Sequence, residues 1–329
     1  MHRDRTLWLL STMALVATVL ASGPVVARDP EQLEIGFVPS LEARALAEDI
    51  LPLTDYLSEA LAMPVKGKVA SSYPALVTAL QIGQTHIGAL PPLGMVQAVD
   101  VADAEVILQS VRFGSPTYHT QFFTNAPDKY CADEPVVNER REAGEMLPFL
   151  NCNGTDRPFD GALVGPIGLD ALQKMGRDTT VAFTRPGSSS GYIFPATVFA
   201  NQGIDPKTDL DAIFTDEHDR SVIAVCMAEA EVGVSYDDAR PDTTTECDVS
   251  ASVVVFAYGP EIPNDGIAVS GDLSDSLRDR IKKALLDYAA TEDGAAVLDT
   301  IYNINAFADP DLESLQIVRD AVEKLGYGQ

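Results

Sequence analysis

Residues 181–203 read VAFTRPGSSSGYIFPATVFANQG. The apolar run 181–183 has the composition of a short buried strand, and Pro186-Gly187 marks a tight turn. Ser188, Ser189 and Ser190 follow, and Gly191 opens an apolar, helix-compatible segment that stops at 201–203. A hydroxyl-rich turn from strand to helix leaves backbone N–H and Ser O–H donors converging at the positive end of a helix dipole. That arrangement predicts a site for a small oxyanion, and one that needs no Lys or Arg.

The strand-then-helix pattern extends on both sides of this turn. Residues 33–38 (LEIGFV) and 65–70 read as strands. Between them, 41–62 is a helical stretch with Leu46, Ile50, Leu53 and Leu57 on one face, kinked or split by Pro52. Ser71-Ser72-Tyr73-Pro74 opens a short helix, with Pro74 placed for its first turn. Further strands are predicted at 87–90, 105–111, 118–124 and 252–258, and helices at 92–98, 273–290 and 312–325. Alternating strands and helices imply an α/β fold with parallel sheets, and ligands of such sheets sit at the carboxyl ends of strands. The chain is too long for one compact core and suits two lobes. The expected division is 31–124 plus 251–329 for one lobe and 125–250 for the other. The charged, Pro- and Gly-rich stretch 128–175 is read as loop-rich elaboration of the second.

The first 27 residues have the form of a secretory signal: Arg3 and Arg5, an apolar or small run over 7–20, and Val25-Val26-Ala27 as a small-residue cleavage site. The run is shorter than a membrane span needs, so an exported, periplasmic protein is expected. Removing residues 1–27 takes away two arginines and one aspartate, leaving 21 basic against 48 acidic residues, a net charge of −27. Such acidity argues against nucleic acid or an anionic membrane as partner, and makes local dipoles the means of holding an anion. Cys131, Cys152, Cys226 and Cys247 are an even set in an exported chain, which points to two disulfides. Three pairings are open. Cys131–Cys152 with Cys226–Cys247 is favoured because each closes a short polar loop. The cysteines lack CxxC spacing and a nearby histidine, so no zinc site and no cofactor is expected.

Polar loops follow several predicted strands: Pro39-Ser40, 71–73, 114–118, 187–191, Glu217-His218-Asp219 and Pro263-Asn264-Asp265. The order GFVP, LTDYLSEAL, SSYPALV, PGSSSGYIFP, EHD and IPND resembles the phosphonate-binding (PhnD-type) family, the periplasmic substrate-binding proteins of phosphate, phosphite and phosphonate ABC importers. The resemblance covers most of 33–307, apart from the region around 128–175. It implies a type II periplasmic-binding-protein fold, two α/β lobes joined by a two-strand hinge, closing over a small phosphorus oxyanion. It also implies a membrane permease as partner, and a monomer is expected. Carried over, the family's binding residues fall on Ser188, Ser189 and Ser190, on Tyr73, His218 and Asp265, on Asp237 or Asp238 (Asp238 preferred), and on Tyr118. An aspartate facing an anion has two rationales: it accepts from the P–O–H of a monoprotonated ligand, which sulfate lacks, or it faces a ligand amine. The chain departs from the family at Leu90-Pro91-Pro92, where a polar or aromatic ligand contact gives way to an apolar wall.

Two other functions share some of these features. Gly187-Ser188-Ser189-Ser190-Gly191 matches the G-x-S-x-G nucleophile elbow of hydrolases, with Ser189 as nucleophile. His218 follows it by only 29 residues, too few for the remaining strands of that fold. A sensory protein presenting an oxyanion such as arsenite to a membrane histidine kinase has the same residues, and only its neighbours would distinguish it.

Overall fold

The computed structural model describes residues 29–39, 43–142, 145–155, 166–243 and 247–326. The expected signal segment and Ser40 lie outside the described residues. Thirteen strands are found among the described ones. In chain order they are β1 (Leu33–Phe37), β2 (Val65–Val69), β3 (Ile87–Leu90), β4 (Glu105–Val111), β5 (Thr117–Thr124), β6 (Val136–Glu142), β7 (Glu145–Asn151), β8 (Thr180–Phe183), β9 (Asp211–Phe214), β10 (Val232–Tyr236), β11 (Val254–Pro263), β12 (Gly266–Val269) and β13 (Ala306–Ala308). They form a six-stranded sheet, β13-β4-β12-β3-β1-β2, and a seven-stranded sheet, β6-β7-β11-β5-β10-β8-β9. The β1–β2, β1–β3, β8–β9 and β10–β8 pairs are parallel, as strand–helix alternation requires. This is the mixed α/β, two-lobed architecture expected from the sequence.

The chain passes between the sheets twice, from β4 to β5 and from β11 to β12. The two crossovers are hydrogen-bonded side by side. Asn264 N–H donates to the Pro116 carbonyl (2.8 Å), the Asn264 side-chain amide donates to the carbonyls of Ser110 (3.0 Å) and Ser115 (2.8 Å), and Ser110 N–H donates to the Asp265 carbonyl (2.8 Å). A buried asparagine amide that satisfies two carbonyls of the neighbouring crossover, at the end of β4 and before β5, fixes the register of this junction. The expected lobe boundary shifts accordingly. The expected first lobe, 31–124 plus 251–329, includes β5 and β11, yet these two strands pair with each other and lie in the seven-stranded sheet. Both strands run straight out of the crossovers, and an apolar pattern reports burial but not which sheet buries it.

Pro52 splits the first helical stretch as predicted. Helix Ala43–Asp49 ends before Ile50, and Leu51–Leu61 begins anew with the proline in its first turn. The 128–175 region departs from its loop-rich reading: β6 and β7 form an antiparallel hairpin, and β7 extends the seven-stranded sheet by pairing with β11 at Leu150 and Asn151. Pro148 lies outside that two-residue register, so its missing N–H costs the ladder with β11 nothing. The hairpin is tied down covalently. Cys131–Cys152 (Cα–Cα 5.2 Å) and Cys226–Cys247 (6.1 Å) are both disulfides, the favoured pairing.

The two lobes are in contact. One buried apolar cluster contains Tyr73, Leu76, Leu90 and Leu93 from one lobe with Phe183, Tyr192 and Phe194 from the other. Arg185 donates across to the Ser71 carbonyl (3.3 Å). The C-terminal helix Gln316–Lys324 packs on Pro92–Ala102 of the first lobe and on Phe194–Asn201 of the second, with Val318 fully buried. The structure is thus a closed one, and the residues named from the sequence lie at the closure.

Candidate functional site

The serine turn forms as its sequence predicts. Ser188 has extended backbone (φ −74°, ψ 130°), and its Oγ accepts from Gly191 N–H (3.1 Å), capping the helix that follows. That helix starts with one π-type turn, Ser189–Ile193, and continues as Phe194–Asn201. The amides of Ser189 and Ser190 open the helix and so have no intrahelical acceptor. All three serines are buried, at 2%, 1% and 3% exposure, so these donors face protein or bound solute rather than bulk water. Ser189 Oγ accepts from Leu93 N–H of the opposite lobe (3.2 Å). The Leu90-Pro91-Pro92 wall thus supplies a helix-start N–H to the serine turn in place of a side chain.

His218 is the first residue of helix His218–Cys226. Its Nε2 lies 3.2 Å from Ser188 Oγ, and its Nδ1 lies 2.8 Å from Ser235 Oγ. Burial, with Arg112 adding to it, lowers its pKa to about 3, so the ring is neutral near pH 7 and one nitrogen donates while the other accepts. This geometry removes the hydrolase reading. The serine beside the imidazole is Ser188, not Ser189, and a hydroxyl rather than a carboxylate orients the far nitrogen.

A pH effect follows from the buried ring. The unfolded chain protonates this histidine near pH 6.5 while the folded chain does not, so its contribution to stability is complete above that pH and is lost as pH falls from 6.5 towards 3. Going from pH 7 to pH 5 should cost about 2 kcal/mol through His218 alone. Urea unfolding of the wild type and of His218→Gln at both pH values checks this: the pH-dependent loss should be smaller in the variant by that amount.

Tyr73 and Tyr118 complete the enclosure. Tyr73 opens the helix Tyr73–Gln81, held there by Ser72, whose Oγ accepts from Ala75 N–H (3.2 Å). Tyr118 stands at the start of β5, just past the crossover. Both phenols are pushed well above their usual range by burial, with Asp265 contributing, and the nearby Ser188 and Ser190 side chains respectively offset part of the rise. Both therefore stay protonated near neutral pH, which leaves each a neutral O–H able to donate.

Asp265 stands on the second crossover, where its Oδ2 accepts from Arg112 on the first (2.7 Å). Sequence reading missed Arg112. Its place one residue after β4 and two before the flagged loop 114–118 was the available signal. Tyr236 was missed as well: it ends β10 with its ring centroid 4.7 Å from that of His218, and its hydroxyl donates to Asp242. Asp238 needs correction as a ligand contact. Its carboxylate is buried and committed to Arg240, which donates to it from Nε (3.0 and 3.2 Å) and Nη2 (2.6 Å). Asp237, the other candidate, is buried beside it. The structure therefore brings together Tyr73, Tyr118, Ser188, Ser189, Ser190, His218 and Asp265, and turns Asp238 to a structural task.

Residues 35–315 match the sequence profile of the ABC transporter, phosphonate, periplasmic substrate-binding protein family. The chain belongs to this family. The Phosphonates-binding periplasmic protein of Escherichia coli K12 is 23% identical over 318 residues, covering 95% of this chain and 82% of that protein. Among solved structures, a binding protein component of an ABC phosphonate transporter from Pseudomonas aeruginosa aligns with TM-score 0.70 and 19% identity, over 90% of this chain and 87% of the other. A PhnD protein from Prochlorococcus marinus in complex with methylphosphonate aligns with TM-score 0.70 and 16% identity, over 91% and 99%. These likenesses show the fold, and the family match shows the class: a periplasmic binding protein of a phosphonate ABC transporter, not an enzyme. Among the described residues no helix is long and apolar enough to cross a membrane.

Proposed function

We propose that this protein captures a small phosphonate or related phosphorus oxyanion between its lobes and delivers it to the permease of an ABC importer. The observation that carries the reading is the burial of the Ser188–Ser190 helix start against Tyr73 and Tyr118. The helix-start amides and serine hydroxyls provide converging donors, and two neutral phenols add more. Charge-assisted bonds contribute about 1.5–3 kcal/mol each. Three or four of them, less the cost of association, reach micromolar affinity, about −8 kcal/mol. Export by cleavage after residue 27, and action as a monomer, are parts of the same reading.

Thermal unfolding of the mature protein against methylphosphonate, phosphite, phosphate and arsenite tests it. A ligand at a hundred times its Kd adds about 2.7 kcal/mol and raises the midpoint by several degrees. A shift with a phosphorus anion supports the reading; no shift with any of them, or a shift with arsenite alone, overturns it. Ser189→Ala should weaken the bound phosphorus ligand at least tenfold, because it removes a donor from the turn and the acceptor that Leu93 N–H uses across the cleft. Unchanged affinity by calorimetry would remove Ser189 from the site.

A further inference from the structure

Arg112 and Asp265 form an ion pair inside the closure, and each stands on one of the two crossovers. The crossovers are hydrogen-bonded along their length, so the pair is held by backbone on both sides. Only 15% of the arginine side chain and 20% of the aspartate side chain are exposed. The guanidinium carbon lies 5.9 Å from the centroid of the Tyr118 ring. The arginine's field also reaches His218 and Tyr236, and that of the aspartate reaches Tyr73 and Tyr118. The pair therefore sits among the site's aromatic and imidazole groups.

Two details give it a direction. Arg112 spends Nη2 on Asp265, while its Nε is buried and has no hydrogen-bond partner. Nε–H and Nη2 share one edge of the rigid guanidinium fork, the edge that Arg240 uses whole on Asp238. Asp265 takes only half of that edge from Arg112 and leaves the neighbouring Nε–H open to an acceptor at its side. A buried donor without an acceptor is costly unless the site's occupant supplies one. For its part, Asp265 already holds a full cation. A ligand ammonium seeking that carboxylate would either meet the guanidinium at close range or displace it, leaving a buried arginine without its counter-ion.

We propose that Arg112 is a ligand-contacting specificity residue: its Nε–H donates to the bound anion, Asp265 is its fixed counter-ion, and the subsite accepts phosphonates with an uncharged substituent and rejects those bearing an amine. This rests on the phosphonate reading above and narrows it. It also settles which rationale suits an aspartate in this anion site: the carboxylate holds the arginine rather than a ligand amine.

The test uses ethylphosphonate and aminomethylphosphonate, which differ by a methyl against an ammonium in nearly the same volume, with methylphosphonate as the reference ligand. Calorimetric titration of the wild-type mature protein should show ethylphosphonate binding at least tenfold more tightly than aminomethylphosphonate. Arg112→Gln frees Asp265, and the preference should fall by at least tenfold, towards parity or reversal. Arg112→Lys keeps a cation but loses the Nε donor: affinity for ethylphosphonate should drop while the bias against the amine persists. Wild-type protein that binds aminomethylphosphonate as tightly as ethylphosphonate overturns the proposal and leaves the phosphonate reading standing. So does methylphosphonate binding with neither larger ligand, which would make size the filter. An unchanged preference ratio in Arg112→Gln overturns it as well, as does an unaltered affinity in Arg112→Lys if the glutamine variant fails to fold. Failure of all three phosphonates to bind the wild type sinks the phosphonate reading itself, and this inference with it.

Discussion

Gly191→Ala should abolish tight ligand binding, weakening it by a hundredfold or more. A Cβ at this position would lie 1.8 Å from Thr184 Oγ1 and 2.7 Å from both Thr184 Cβ and Cγ2. Thr184 is fully buried, β-branched and tied to the same glycine by its N–H, which donates to the Gly191 carbonyl (3.1 Å), so no rotamer change clears the clash. The backbone must move, and the backbone here is the serine turn itself: Gly191 N–H is the group that Ser188 Oγ caps. Displacing that turn misaligns the donors of Ser188, Ser189 and Ser190 together. Two lost charge-assisted bonds, at about 1.5–3 kcal/mol each, already exceed the 2.7 kcal/mol that a hundredfold change in Kd represents. Calorimetry on folded variant protein measures the loss. Adding Thr184→Ala removes the 1.8 Å contact and one of the two 2.7 Å contacts, so the double variant should recover part of the affinity, a positive coupling between the two positions. Equal losses in the single and double variants would show that the glycine matters for another reason.

Much of the candidate site's local geometry was legible because its parts are contiguous. A strand, a Pro-Gly turn, three serines and an apolar helix are contiguous in the chain, and contiguous residues announce their own geometry. Ser72 capping the helix that carries Tyr73, and Pro52 dividing the first helix, are likewise short-range effects. What escaped were relations between distant segments. Arg112 and Asp265 are 153 residues apart and meet only because two crossovers lie side by side. The same crossovers moved β5 and β11 to the other sheet, since alternation of apolar residues records burial and not the neighbouring strand. The hairpin β6–β7 was hidden by charge and by Pro148, although Pro148 lies outside the two-residue register with β11. Asp238 was misassigned for a further reason: an aspartate past a strand end is consistent with a ligand contact or an ion pair, and its partner, two residues on, decides which.

Arg240→Met should lower the free energy of unfolding by about 3–5 kcal/mol, the cost of stranding one member of a buried ion pair. Arg240 is 1% exposed, and its guanidinium holds more than Asp238. Nη1 donates to the carbonyls of Leu150 (2.7 Å) and Val253 (3.2 Å), Nη2 donates to Asn151 Oδ1 (3.1 Å), and the carbon stands 4.8 Å from the centroid of the Phe149 ring. One side chain thus joins the segment after β10 to the end of β7 and to the residue before β11, the places where the hairpin meets the sheet. Methionine fills much of the volume but leaves a carboxylate, two carbonyls and an amide oxygen without their donor. Urea unfolding should show a lower midpoint at unchanged m, the mark of lost stability rather than altered compactness. Asp238→Leu added to Arg240→Met removes the stranded charge and should restore a large part of the loss. The decisive comparison is Asp238→Asn. If Asp238 belongs to this structural pair, stability falls while the Kd of the folded protein for methylphosphonate stays where it was. A weakened Kd with stability intact would return Asp238 to the binding site and make the ion pair incidental.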